Sequence, residues 1–485
     1  MGPINAPFDL AIDLPVRGSR QLGRDLHRQL RSAIVDGRLH AGLRLPSTRE
    51  LAAALDISRN TVVNAYDLLL SEGYVRAHGR GGTLVADFLS TPLRRERTQI
   101  EPGRDARLNP TWRAPTSLIP TGARNHYRFD FSVGIPDWES FHFPVWRRLS
   151  ARALRAESRT RTGYGQPQGQ PALREAIAGH ISFARAIACT AEEIVVTAGA
   201  QQAFDLLARI LVTPGQTTVA VEEPGYPPLR NALTAAGAKV VGVPVDSEGL
   251  KVDRLPRNAK VICVTPSHQF PLGVHLSLAR RTALLDFARA RGAVIIEDDY
   301  DGEFRYAGKP LDALKTLDRG EAVFYVGTFS KSLFPALRLG FVIPPQWAKH
   351  ALVAAKQLSD WHAPIVSQDI LSAFIAEGEL ARHVRKMRKL YSERREILHD
   401  ALERFCGSHL RVVGIGAGLH LATHLTDSIS ASALIEKARE AGIALDAIQR
   451  FGAKDGKPDG LVFGYGAIAS LQIGDAVRRL ARLMK

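Results

Sequence analysis

Lys331 lies in VGTFSKSLFPALRLGF, where a short apolar run (AVFYV) delivers a turn of small, hydroxyl-bearing residues. A lysine amine can form a Schiff base with an aldehyde once desolvation or nearby cations lower its pKa. Thr328, Ser330 and Arg338 beside it are residue types that bind a phosphate. Upstream, VIIEDDYDGEFRY ends an apolar strand in acids, and an Asp there can pair with a protonated pyridine nitrogen. IVVTAGAQQAFDLLARIL reads as strand, Gly-containing turn and helix, whose first amides can receive a phosphate. In EEPGYPPLR, Tyr226 follows a Pro-Gly turn and can stack on a flat ring. Each feature alone is more often structural. It is their conjunction, in this order, that points to chemistry.

The elements that must position these residues alternate along the chain. From about Tyr127 to Lys485, β-branched runs (EIVVT, TTVAVEE, KVICVTP, GAVIIEDD, AVFYVG) are interleaved with helical stretches. That pattern reads as an α/β domain with a mostly parallel sheet. Two other motifs lead nowhere. GIGAG at 414–418 lacks dinucleotide-binding spacing and runs into HLATHL, which reads as a strand. His420 and His424, four apart, would align as metal ligands on a helix, but this pattern is strand-like. No metal is expected.

The first ninety residues have a different design. Leu22, Leu26, Leu30 and Ile34 form the core stripe of a helix ending near Gly37. Ser47 and Glu50 make an S-x-x-E capping box that starts a second helix, with Leu51, Ala54 and Leu55 inward. Ser58 opens a third helix whose Val62, Ala65, Tyr66 and Leu69 are apolar, and Gly73 stops it. Two short helices joined by a few residues predict a helix-turn-helix, with the second helix in the major groove. Arg59, Asn60, Thr61 and Asn64 then face outward; Arg reads guanine, Asn reads adenine, and Thr offers a hydroxyl or methyl. GYVRAHGRGGTLVA predicts two strands around a basic turn, a wing with Arg80 placed for phosphate or the minor groove.

The boundaries follow: an N-terminal arm at 1–19, a winged helix-turn-helix at 20–87, a linker at 88–120 and an α/β domain at 121–485. The linker stretch carries Pro, Arg and polar residues with no apolar repeat. The chain has 485 residues, 45% hydrophobic and 23% charged, which excludes wholesale disorder. No apolar run approaches the ~18 residues of a membrane span, and the N-terminus lacks a signal-peptide pattern, so no membrane role or export is expected. Cys189, Cys263 and Cys406 are dispersed, which fits a reducing, cytoplasmic compartment. The formal charge of +15 suggests a polyanionic partner, yet only +5 of it falls in residues 1–120. Placement of arginines, not net charge, marks the DNA-binding surface.

Residues 20–86 closely resemble the GntR-type winged-helix DNA-binding domain, almost continuously from DGRLHAGLRLPSTRELAAALDISRNTVV through the wing. By that resemblance Arg49, Ser58, Arg59, Asn60 and Thr61 contact DNA, with His78 and Gly79 at the wing tip. From Tyr127 onward the chain resembles fold-type I pyridoxal 5′-phosphate (PLP) enzymes of the aspartate aminotransferase class. The resemblance makes Lys331 the residue of the internal aldimine. It places Arg338, Thr328, Ser330, Gly199, Ala200 and Gln201 at the phosphate, Asp298 at the pyridine nitrogen and Tyr300 at the 3′-oxygen. Tyr226 would stack on the ring, and Tyr164 would reach a phosphate across a homodimer. Where aminotransferases carry Asn-Pro-x-Gly, this chain has TPSHQFPLG, so His268 and Gln269 are expected to take over part of the missing Asn's role. Arg450 in AIQRFG matches the position of a substrate- or effector-carboxylate arginine, in a different setting.

A winged helix, a linker and an aminotransferase-like domain resemble the MocR subfamily of GntR-type regulators. The expectation is a homodimeric, DNA-binding transcriptional regulator that senses PLP or an amino compound and acts on vitamin B6 or amino-compound genes. The rivals are an active aminotransferase with a DNA-binding appendage, and a DNA-binding protein whose large domain is a dimerisation scaffold.

Overall fold

The computed structural model describes residues 22–78, 82–86, 127–159, 163–306, 312–414, 416–426, 429–452 and 459–484, together with 12, 107 and 109–112. Gly79 and Arg80 of the expected wing tip, nearly all of the expected arm and most of the expected linker lie outside the described residues. The chain divides into two compact units, residues 1–105 and 106–485.

In the first unit, helices Leu22–Val35, Thr48–Ala54 and Arg59–Ser71 precede an antiparallel pair, Val75–Ala77 with Thr83–Val85. Leu26, Leu30 and Ile34 meet Leu51, Val62, Ala65, Tyr66 and Leu69 in one core, which Val75 and Val85 close. Leu22, at the first turn, is only half-buried. The second helix differs from expectation at one position: Ala52 is buried and Ala54 is exposed. At 100° per residue, positions 51, 52 and 55 share a face, and 54 falls off it. The capping box is present in full. Ser47 Oγ accepts the Glu50 amide at 3.2 Å, and Glu50 Oε2 accepts the Ser47 amide at 2.8 Å. Tyr66 donates its hydroxyl to the Pro46 carbonyl at 2.9 Å, tying the turn before the second helix to the third.

The second unit is built on an eight-stranded sheet. Its order runs Val195–Thr197, Gly340–Ile343, Val323–Thr328, Val294–Asp299, Ala259–Val264, Thr218–Glu223, Lys239–Asp246, Gly249–Leu250. The five strands from Val323–Thr328 to Lys239–Asp246 pair in parallel; Gly340–Ile343 and Gly249–Leu250 run antiparallel to their neighbours. Alternate side chains enter opposite cores. Ile296 and Phe324 pack with Phe204 and Leu352 of helices Ala200–Leu211 and Lys349–Asp360. Ile295 and Val323 pack instead with Leu284 and Ala288 of helix Leu278–Arg291. A second, antiparallel sheet (Leu410–Val413, His420–Leu425, Gly460–Gly464, Asp446–Ala447) lies with helices Glu379–Cys406 and Ser470–Leu483. No described helix is long and apolar enough to cross a membrane. Removing the first unit's cap with Ser47→Ala should cost that unit about 1 kcal/mol, read as a lower denaturation midpoint.

Candidate functional site

In an open parallel sheet, ligands bind in the crevice beyond the carboxyl ends of the strands. Here those ends deliver the expected residues. Thr197 leads to Gly199, Ala200 and Gln201, and Glu223 leads to Tyr226. Strand Val294–Asp299 ends in Asp298 and leads to Tyr300, and strand Val323–Thr328 leads to Ser330 and Lys331. A cavity of about 700 Å³ is lined by Ala200, Gln201, Tyr226, Asp298, Tyr300, Thr328, Ser330, Lys331, Arg338 and Arg450.

The period-two alternation of a strand decides which acid faces this cavity. Asp299 points the other way, into an ion pair with Arg185 (Nε to Oδ2, 2.6 Å) and the Tyr325 hydroxyl (2.6 Å). Glu297 accepts the amides of Leu314 and Lys315 at 2.8 and 2.9 Å. Asp298 turns to the cavity, and its buried Oδ1 has no hydrogen-bond partner among the described residues. Burial, with Asp299 and Asp301 nearby, pushes the Asp298 carboxyl well above the usual carboxylate range. Such a group calls for a positive or donating partner.

Lys331 Nζ donates to the Gly134 carbonyl at 2.6 Å. Desolvation lowers its pKa against the opposing pull of Asp301 and Asp298, and Arg338 lowers it further. That is the condition an amine nucleophile needs. Across the cavity, Arg338 donates Nη2 to the Ala198 carbonyl at 2.8 Å. Gly199 (φ +76°) opens helix Ala200–Leu211, and a Cβ there would lie 2.8 Å from that same Nη2. Only glycine lets the guanidinium close over the helix start, where free amides favour an anion. Thr328 Oγ1 and Ser330 Oγ, 3.0 Å apart, face the same space. The Ala198 amide is held by Gln202, whose own amide donates to Asp360 at 2.7 Å; Asp360 pairs with the fully buried Lys356. The donor set therefore fits PLP: a cradle for phosphate, an acid for the ring nitrogen and an amine for the aldehyde.

Three expected residues stand elsewhere, and a fourth, Arg450, is engaged by a neighbour. Tyr164 is 81% exposed, its ring 4.9 Å from that of Trp361, outside the cavity. His268 is buried behind Tyr300. Gln269 is also buried, its amide donating to the carbonyls of Pro224 (2.8 Å) and Phe270 (2.6 Å). Arg450 reaches the cavity rim but is held by Asp446. The sequence reading missed Gly134, Phe270, His420 and Asp446 on the cavity wall. Gly134 lies nearly 200 residues before the lysine it orients, and no local pattern announces that approach. His420 sits on strand His420–Leu425, where extended spacing puts His424 roughly 13 Å away, so the two do not share a metal.

In the first unit, Arg49, Ser58, Arg59 and Asn60 are exposed and Thr61 is half-buried. Ser58 is the helix cap: its Oγ accepts the Thr61 amide at 3.1 Å and lies 2.8 Å from Thr61 Oγ1. Arg59 Nε donates to Thr48 Oγ1 at 3.4 Å, joining the two helices of the motif. The exposed His78 closes the wing hairpin through its amide, 2.8 Å from the Gly82 carbonyl.

These two sites define a DNA-binding winged helix joined to an aminotransferase fold. Residues 22–85 match the bacterial regulatory proteins of the gntR family, and residues 128–460 match aminotransferase class I and II. The chain belongs to the MocR subfamily of GntR-type regulators. It is 33% identical over 458 residues to the probable rhizopine catabolism regulatory protein MocR of Rhizobium meliloti, covering 94% of this chain and 92% of that one. It is also 33% identical over 461 residues to the pyridoxine biosynthesis transcriptional regulator PdxR of Corynebacterium glutamicum, covering 95% of each. Among solved structures, the Pyrococcus horikoshii kynurenine aminotransferase superposes with a TM-score of 0.68 at 27% identity, over 73% of this chain and 90% of that one.

Beneath the cavity, burial pushes the Glu222 carboxyl up to about 7, although Thr265 and Gln269 donate to it. An acid with a raised folded pKa binds its proton more tightly when folded, so stability falls as pH rises from the unfolded to the folded pKa. The loss is complete above about pH 7 and on the order of 3 kcal/mol. Glu222→Gln keeps an acceptor for Thr265 without the charge. Its melting-temperature advantage over wild type should therefore grow from about pH 5 to about pH 8; an offset equal at both would contradict the shift.

Proposed function

We propose that this chain is a DNA-binding transcriptional regulator whose large unit holds PLP on Lys331 and reads PLP itself or an amino compound. The observation that carries the reading is Asp298, a buried carboxylate with an unpartnered oxygen facing the same cavity as a desolvated lysine and an arginine–amide cradle. Asp298 would hold the protonated ring nitrogen and Tyr226 would stack on the ring. Arg338, Thr328, Ser330 and the amides of Ala200 and Gln201 would bind the phosphate, and Tyr300 would donate to the 3′-oxygen. PLP supplies an aldehyde for reversible attachment of amines and a ring that withdraws electrons. Lys331 contributes an amine whose pKa desolvation lowers and whose direction the Gly134 carbonyl sets. Arg450 would take an effector carboxylate, at the cost of opening its pair with Asp446.

The remaining assignments share this basis. In a homodimer the exposed Tyr164 would serve the cavity of the other copy, and two winged helices would meet two DNA half-sites. The arm at 1–19, the module at 20–87, the linker at 88–120 and the effector domain at 121–485 would then work as a series, the linker conveying the state of the large unit. Arg49, Ser58, Arg59, Asn60, Thr61, His78 and Arg80 would contact DNA. For such a switch, an effector must bind two states of the large unit with different affinity. Free, dispersed cysteines suit the cytoplasm. The PdxR relative supports vitamin B6 genes as targets, and the MocR relative supports a catabolic pathway.

Lys331→Ala should abolish the visible absorbance that PLP gives with wild type and remove any PLP response in DNA affinity. Intact response in the variant would overturn the sensing reading. The retained Lys331, Asp298 and Tyr226 also favour an active aminotransferase; sustained turnover of an amino-acid/keto-acid pair at about 10 s⁻¹ would establish it. Arg59→Ala should weaken specific DNA binding by about 1–3 kcal/mol and relax one base position, whereas uniform weakening on all sequences would make Arg59 a phosphate contact.

A further inference from the structure

Behind Tyr300 lies a group of polar residues that the reading above leaves without a task. Tyr300 Oη is 2.9 Å from His268 Nδ1 and 3.0 Å from the His268 carbonyl. The same Nδ1 is 2.9 Å from Asp301 Oδ2, and both side chains are 1% exposed. The other wall of the imidazole is His420, ring to ring at 4.7 Å, which donates Nε2 to the Pro271 carbonyl at 3.0 Å. His268, Asp301 and His420 carry metal-type donors within 4.8 Å of one another. Their hydrogen bonds, however, already commit Nδ1 of His268 and Nε2 of His420. What the hydrogen bonds describe is a chain leading to a tyrosine on the cavity wall.

We infer that His268, oriented by Asp301, is a positioning residue that fixes the Tyr300 hydroxyl and, through it, the cofactor's ring oxygen; this rests on the PLP reading. A carboxylate only accepts, so Nδ1 carries the proton and gives it to Asp301 Oδ2, sharing it with Tyr300 Oη. The Tyr300 oxygen thus receives an N–H, and its own proton goes to the His268 carbonyl or into the cavity. A hydroxyl that accepts a hydrogen bond donates a stronger one, and its rotor is no longer free. His268 thus acts through Tyr300, not on the ring directly.

The backbone is shaped to seal this chain. Gly418 has φ +86°, and a Cβ there would lie 1.9 Å from His268 Cε1, 2.2 Å from Nδ1 and 2.7 Å from Asp301 Oδ2. Its carbonyl accepts the hydroxyls of Tyr306 and Tyr465 at 2.7 and 2.6 Å, which clamps the close approach. This gives the GIGAG run a purpose: its last glycine lets the second sheet's lead-in close over the imidazole. The charged and titratable groups acting on Tyr300 are Asp298 and Asp301 from its own segment, Glu222, His268 and Tyr465, while Lys331 and His420 line the same cavity.

Two readouts on the full-length protein test this. In the free protein, proton NMR should show a far-downfield imidazole N–H that vanishes in His268→Phe, moves upfield in Asp301→Asn and shifts in Tyr300→Phe. If His268→Phe leaves that region unchanged, or Tyr300→Phe does not move the signal, the chain of three is wrong, whatever binds in the cavity. In the PLP-loaded protein, Tyr300→Phe should raise the pH midpoint of the visible band by about one unit, since a lost donor makes the ring oxygen more basic. His268→Phe should raise it by at least half as much, and the double variant no more than Tyr300→Phe alone. Additive shifts, or no shift in both His268→Phe and Asp301→Asn, overturn the inference. A wild type with no visible band would overturn the PLP reading instead, while the NMR signal still decides the three-residue chain.

Discussion

A buried acid oxygen without a partner is among the least favourable things a fold can contain, and Asp298 Oδ1 is one among the described residues. The strand that carries it places three acids in a row, and alternation divides their fates. Glu297 accepts two backbone amides and Asp299 meets Arg185 and Tyr325 through Oδ2, on the side away from the cavity. Asp298 alone turns toward the space that Lys331 and Arg338 enter. Removing one partner of the Arg185–Asp299 pair would leave an uncompensated charge in the same core. The surrounding architecture follows from this arrangement. Parallel strands bring their carboxyl ends to one mouth, Gly199 admits the guanidinium, and Gly134 orients the amine.

Much of this was legible in the sequence because the signals were local. Apolar runs marked the parallel strands, the S-x-x-E box marked the second helix, and strand–turn–helix around Gly199 marked the helix start that Arg338 closes over. The resemblance assigns the ring nitrogen to Asp298, and strand alternation, which turns the adjoining Asp299 away from the cavity, gives a physical reason for it. What was not legible depends on close approach between distant segments. No pattern in SVGIPD tells that its Gly134 carbonyl meets Lys331, and none in GIGAG tells that Gly418 packs on His268. Ala54 shows the same limit at small scale: in a seven-residue helix, a one-position error in phase exposes a residue expected inside. TPSHQFPLG departs from Asn-Pro-x-Gly, yet His268 and Gln269 serve the layer behind the cavity and not its wall.

The two units ask different things of their residues. In the winged helix, Ser58 and Thr61 spend their hydroxyls on each other at the helix cap, beside the exposed Arg49, Asn60 and Asn64 and an Arg59 that leans on Thr48. In the large unit many polar groups are buried and paired, and of the cavity-lining side chains Asp298 has a buried oxygen without a partner among the described residues. A regulator needs that second property as much as an enzyme does, because a ligand changes an equilibrium only through contacts made in one state and not the other. An uncompensated carboxylate supplies a large difference of that kind.

The central claim is therefore that Asp298 awaits a protonated ring nitrogen. Binding of PLP and of its 1-deaza analogue, with carbon replacing that nitrogen, should be compared in wild type and Asp298→Asn by calorimetry. The account predicts that wild type prefers PLP at least about tenfold, the equivalent of ~1.4 kcal/mol, and that the substitution removes most of the preference. An equal preference in both proteins would contradict it.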